Sequence, residues 1–166
     1  MTIRLNHPDT MNHPKMRDFL AACQSVRPGT TLHSDDIASD ELIVFSESLL
    51  IMLWDKTRED FMYRMCGSTI VDLYGQDCTG SYTSEALPNE AGDQFRAAHL
   101  DLMRHEKLLF IDGIIDWNDR VPRPWNQVSM PLRRKGEITG TLTYAQIDEP
   151  INGVRSVAAP QGQMRH

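Results

Sequence analysis

The chain has 166 residues, 40% of them hydrophobic and 24% charged, with a net charge of -6 and only three cysteines. That length suits one domain with its own buried core, and the acidic balance argues against nucleic acid as a partner, because phosphate-backbone binding needs a basic surface. Cys23, Cys66 and Cys78 show no CxxC spacing, which points to reduced thiols in a cytoplasm rather than a disulfide framework, and no run approaches the roughly 18 apolar residues of a membrane span.

Residues 1–13 carry two His-Pro pairs and read as a flexible tail. His7 and His13 lack the carboxylate or thiol cluster that would complete a metal site, so no metal is expected. From Pro14, the residues Met16, Phe19, Leu20, Cys23 and Val26 fall on one face of a helix that Pro28-Gly29 ends. Such a stripe must cover something, either its own domain or a second copy. Residues 30–41 are polar and acidic and read as a linker, so 14–41 form an N-terminal helix and linker. Leu49–Trp54 and Asp60–Cys66 predict a hairpin across the charged turn DKTRED. Ser68 is placed to cap a short helix that Gly75 closes. Residues 81–88 predict one irregular helical turn.

Asn89 then predicts the start of a longer helix ending near His105-Glu106-Lys107. Phe95, Ala98, His99, Leu102 and Met103 share its inward stripe. Strands follow at 108–117, 125–132 and 138–144, the last two joined by a turn on Gly136. Residues 148–166 lose the pattern and read as a loose C-terminal tail. The order, helix, two strands, short helices, long helix, three strands, predicts an α+β domain with an antiparallel sheet covered by helices.

Two motifs carry a family resemblance. Tyr63-Arg64-Met65-Cys66-Gly67-Ser68 followed by Tyr74-Gly75-Gln76-Asp77-Cys78-Thr79-Gly80 resembles the second strand and short helix of PAS domains found as stand-alone proteins in Alphaproteobacteria. The stretch SMPLRRKGEITGTLTYAQI is similar to the PAS hairpin that turns on a glycine. The resemblance covers about residues 40–147, which places a PAS-like domain at 42–147. It implies a five-stranded antiparallel sheet covered on one face by short helices and one longer helix. It further implies a non-enzymatic sensor or adaptor in bacterial signalling, with a small-molecule ligand and signalling proteins such as kinases as partners. Homodimerisation through the preceding helix is implied too, using Met16, Phe19, Leu20, Cys23 and Val26.

The pocket that the resemblance implies lies between helix and sheet. Its expected lining is Phe95, His99, Leu102, Met103, Phe110, Gln127, Ser129 and Tyr144. No cofactor is expected. Haem through His99 is the first one to test, against a core histidine bonded to backbone. Flavin chemistry is disfavoured, because only Cys78 of the blue-light cysteine motif is present and it falls out of register. Arg64 is expected to brace the turn by pairing with Asp72 or Asp77. The basic set Arg120, Arg123, Arg133, Arg134 and Lys135 has a default reading as exposed turns, and could also meet the acidic 35–60 stretch of another copy. The alternative from another class is a small lyase or isomerase using His99 with Asp112 or Asp116.

Overall fold

The computed structural model describes residues 2–116 and 122–148. Strands β3 (Leu49–Asp55), β4 (Asp60–Cys66), β5 (Leu109–Ile115), β6 (Arg123–Arg134) and β7 (Glu137–Ile147) form the antiparallel order β5-β6-β7-β3-β4. Between β4 and β5 come α4 (Ser68–Tyr74), α5 (Thr83–Ala86) and the long α6 (Asn89–His105). This arrangement is α+β and compatible with a PAS-like fold. No helix among the described residues is long and apolar enough to cross a membrane.

The sheet has seven strands, more than the expected five. The N-terminal residues supply the difference, and this corrects the reading of 1–13 as a tail. Strand β1 (Thr2–Leu5) pairs antiparallel with β5, and α1 (Pro8–Met11) follows it. Ile3 enters the core while Arg4 pairs with Asp112 on the other side of the sheet. Gly113 permits the close approach: a Cβ there would lie 2.1 Å from the Thr2 carbonyl oxygen and 2.6 Å from the Trp125 ring. Asn6 continues the docking, its amide donating to the Phe110 carbonyl at 2.8 Å. His7 and His13 serve as helix N-caps, each accepting from a backbone amide.

The expected linker is also structured. Strand β2 (Leu32–His33) runs parallel to the end of β6, in the space left where β5 has stopped. A 3-10 turn (Ser34–Ala38) and α3 (Asp40–Ile43) follow. Leu32 and Leu42 are buried. Arg27 closes the segment by donating to both carboxylate oxygens of Asp36, at 2.7 and 3.1 Å. That bond is the main reason the Asp36 carboxyl sits below the usual carboxylate range. The expected C-terminal tail lies outside the described residues beyond Asp148, as does Arg120.

Two apolar layers sandwich the sheet, because side chains alternate between its faces. The inner layer joins Leu50, Met52, Phe61, Tyr63, Ile111 and Ala145 to residues of α4 and α6. The outer layer joins Leu49, Phe110, Val128, Leu142 and Tyr144 to Met16, Phe19 and Cys23 of α2 (Pro14–Val26). The stripe of α2 is therefore consumed within its own domain, contrary to its expected role in dimerisation. Met16 and Phe19 are fully buried, Leu20 and Val26 pack partly buried at the edge, and the Phe19 ring stacks on Tyr144 at 4.8 Å. Met16, Phe19 and Cys23 leave almost no surface for a second copy.

One buried acid pins the inner helices. Asp60 accepts from the Phe61 amide at 2.8 Å, the Ser84 amide at 3.2 Å and the Thr83 hydroxyl, and Arg96 approaches at 3.5 Å. Burial pushes this carboxyl up, but the bonds from Ser84, Thr83 and Phe61 outweigh it and hold it below the usual range.

Candidate functional site

Strand alternation builds the site. On β6, residues Trp125, Gln127 and Ser129 all face inward, and their partners on β7 are Ile147, Ala145 and Thr143. Their polar atoms form a continuous chain. The Trp125 indole N–H donates to Gln127 Oε1 at 3.1 Å, and Gln127 Nε2 donates to Ser129 Oγ at 3.1 Å. Ser129 Oγ also meets Thr143 Oγ1 at 2.6 Å and His99 Nε2 at 3.1 Å. His99 Nδ1 lies 2.8 Å from the Phe95 carbonyl oxygen, one helical turn back. Such a chain is satisfied at each member and fixes side-chain orientation in the core.

His99 is fully buried, with its ring 4.1 Å from Phe95 and 6.1 Å from Phe61 between centroids. Burial lowers its pKa from 6.5 to about 4, and the bond to the Phe95 carbonyl opposes this only in part. His99 is therefore a neutral imidazole near pH 7, holding one N–H and one acceptor nitrogen.

The chain of polar groups ends at a cavity between the sheet and the helices. Leu50, Ala145, Ile115, Trp125 and Gln127 supply the sheet wall. Ile70, Leu73 and Tyr74 of α4, Leu87 and Phe95 supply the opposite wall. The free space is about 10 Å³, close to the room one water needs. Gln127 is the one side-chain amide in a mostly apolar lining that also includes Tyr74 and Trp125, and among the described residues no charged side chain lines it. Burial pushes the pKa of the Tyr74 hydroxyl well up, and that hydroxyl lies 3.3 Å from the Tyr63 hydroxyl.

The expected site residues divide. Phe95 and Gln127 line the cavity, and His99 and Ser129 lie behind it in the polar chain. Leu102 and Met103 belong to the inner layer without reaching the cavity. Phe110 and Tyr144 are corrected: both belong to the outer layer, paired across Val128 on the face away from α6. Trp125, Leu73, Tyr74 and Leu87 were missed. The sequence signal for Trp125 was its spacing of two residues from Gln127 on one strand.

Arg64 is no brace. It is exposed and forms no hydrogen bond or ion pair among the described residues. Its expected partners are engaged elsewhere: Asp72 with Arg123 at 2.6 Å, and Asp77 with the Thr79 amide and hydroxyl at 2.9 and 2.7 Å. Strand pleating points Arg64 opposite to Tyr63, away from the 68–80 turn.

The acid–base set weighed for a lyase or isomerase is not brought together. Asp112 faces outward to Arg4 and Asp116 is exposed, whereas His99 is buried inside. The sheet separates Asp112 from the imidazole, and Asp116 is exposed while His99 is fully buried, so the set required by the lyase reading is not assembled. Haem does not fit either: both ring nitrogens of His99 are bonded and the adjoining space holds about one water. Cys78 is buried in the inner layer, its sulfur 3.8 Å from the Gln76 carbonyl oxygen, with its thiol pushed up to about 11 by burial. It behaves as a small core residue.

No family model matches the chain, and no curated protein matches it. Among solved structures, VqmA bound to DPO superposes with a TM-score of 0.53 at 17% identity, over 66% of this chain and 57% of that one. A Vibrio cholerae VqmA dimer, described with LuxR-type receptors, gives 0.54 at 16% identity over 67% and 52%. A complex of Vibrio cholera VqmA with ligand and DNA gives 0.53 at 16% identity over 65% and 50%. The PAS domain of Bordetella pertussis BvgS aligns at a TM-score of only 0.38, with 18% identity over 60% and 74%. The chain spans about half the length of the VqmA chains it matches.

These matches overturn the exclusion of nucleic acid. A chain of net charge -6 was expected to have no such partner, yet its fold occurs in a protein crystallised with DNA. Net charge describes this surface alone and does not limit what a protein built on the fold engages. The likeness establishes a shared fold between this chain and roughly half of VqmA.

Proposed function

We propose that the chain is a PAS-type sensor, of the stand-alone subfamily that its 63–80 stretch resembles, binding a small molecule between the inner sheet face and α4–α6. The observation that carries this reading is the polar chain from His99 through Ser129 and Gln127 to Trp125, ending at an apolar cavity. A single buried amide in an apolar wall selects a ligand by one or two hydrogen bonds. With no charged lining among the described residues, the occupant is small and neutral, with one donor–acceptor edge for Gln127.

The closed cavity gives the signal. Entry of such a ligand requires Leu73 and Tyr74 of α4, with Leu87, to move outward. Occupancy then biases two positions of α4, which is the differential interaction a switch requires. The VqmA structures, one bound to DPO and one a dimer, support a ligand-binding homodimer.

Native mass spectrometry of the purified chain, incubated with bacterial extract, tests the reading. A discrete small-molecule adduct is expected on the wild type and at least tenfold less of it on Gln127→Met. A bare subunit mass for both proteins argues against a ligand site.

A further inference from the structure

Helix α2 covers only part of the outer sheet face. Towards the other end, a groove of about 500 Å³ runs between the sheet and the 34–43 segment. Ile37, Ile51, Leu53 and Leu132 line it, and Asp35, Arg64 and Arg134 stand in it. Both arginines are exposed and form no hydrogen bond or ion pair among the described residues. Two members of the basic set are engaged elsewhere: Arg123 with Asp72, and Arg133 with Glu106 at 2.7 Å.

Ile43 also lines the groove, and Val44 follows it in the chain. They are 52% and 73% exposed, the two most exposed large hydrophobic residues among those described. Asp40 and Glu41, in the same short helix, are exposed acids without an ion pair among the described residues. The molecule thus presents a largely apolar groove holding two unpaired cations and one acid, Asp35, and next to it in the chain an exposed apolar pair with two unpaired anions.

We propose that this face is the contact between two copies of the chain. A two-fold contact must be self-complementary, since each residue i that meets j on the partner is matched by j meeting i. The Ile43–Val44 knob of one copy enters the groove of the other, and Asp40 and Glu41 face Arg64 and Arg134. A foreign acidic peptide would satisfy the arginines but leave Val44 and the acids bare. A second copy satisfies all of them at once. The proposal rests on the homodimer reading above, and moves the contact from the stripe of α2 to this face.

Sedimentation velocity on the full chain tests it. The wild type is expected to dimerise, with a dissociation constant that rises with salt. Val44→Glu should raise that constant at least tenfold while leaving the circular dichroism and unfolding midpoint unchanged, because Val44 is exposed. The double variants Arg64→Glu/Arg134→Glu and Asp40→Arg/Glu41→Arg should each be monomeric alone and form a heterodimer when mixed. A Val44→Glu protein that dimerises as tightly as the wild type, or charge variants that fail to pair on mixing, would place the dimer contact elsewhere. A wild type that stays monomeric across the concentration range would overturn this contact and the homodimer reading together.

Discussion

Phe19→Ala should destabilise the chain by about 3–5 kcal/mol, the usual cost of truncating a fully buried aromatic. Phe19 has no exposed surface, stacks on Tyr144 at 4.8 Å and meets Phe45 edge-on at 5.3 Å. The truncation leaves a void between α2 and β7 that neighbours on a hydrogen-bonded sheet cannot collapse to fill. A urea titration measures the cost as a lowered midpoint. A cost under about 1 kcal/mol would mean that α2 is a detachable lid, and its stripe would again be free to meet a partner.

His99 makes stability depend on pH in a window above that of the carboxylates. In the unfolded chain the imidazole takes up a proton near pH 6.5; in the native state burial delays this to about pH 4. Below 6.5 the unfolded state therefore binds more protons, and stability falls as the pH drops towards 4. Full stability is retained above 6.5. At roughly 1.4 kcal/mol per pH unit, the loss across this window is about 3 kcal/mol. Asp36 and Asp60 are held below the usual carboxylate range, so their stabilisation is lost only from about pH 5 downward, and the slope between pH 6.5 and 5 is free of them. His99→Gln removes the titrating group and should flatten stability over that interval. Equal slopes for the two proteins would show that His99 is solvated and outside the polar chain.

The inner site was partly legible because helical and strand periods both registered. The stripe of α6 placed Phe95 and His99 inward, and alternation on β6 placed Gln127 and Ser129. Phe110 and Tyr144 were misplaced for a physical reason. Both faces of this sheet are covered, so β6 is buried without interruption from Gln127 to Leu132, and an apolar side chain no longer reveals which face it serves. Strand β1 was illegible because it offers one core residue, Ile3, and depends on a partner 108 residues away through Arg4 and Asp112. Arg64 misled because the acids expected to pair with it, Asp72 and Asp77, lie beyond a turn while its side chain points to the opposite face. The run Leu42–Phe45 was open to either a short helix or a strand, because α3 gives the core a single buried side chain, Leu42.

The account turns on whether the cavity beside Gln127 opens to a small neutral molecule. A titration of the labelled chain with a set of small heteroaromatic fragments, followed by NMR, reads this at the atoms concerned. The Trp125 indole N–H and the Gln127 side-chain amide should shift together, with Leu73 and Tyr74 of α4, for fragments carrying one donor–acceptor edge, while Phe19 on the outer face stays still. If no fragment moves the Trp125 and Gln127 resonances at millimolar concentration, the inner layer is a closed core and the proposed ligand site does not exist.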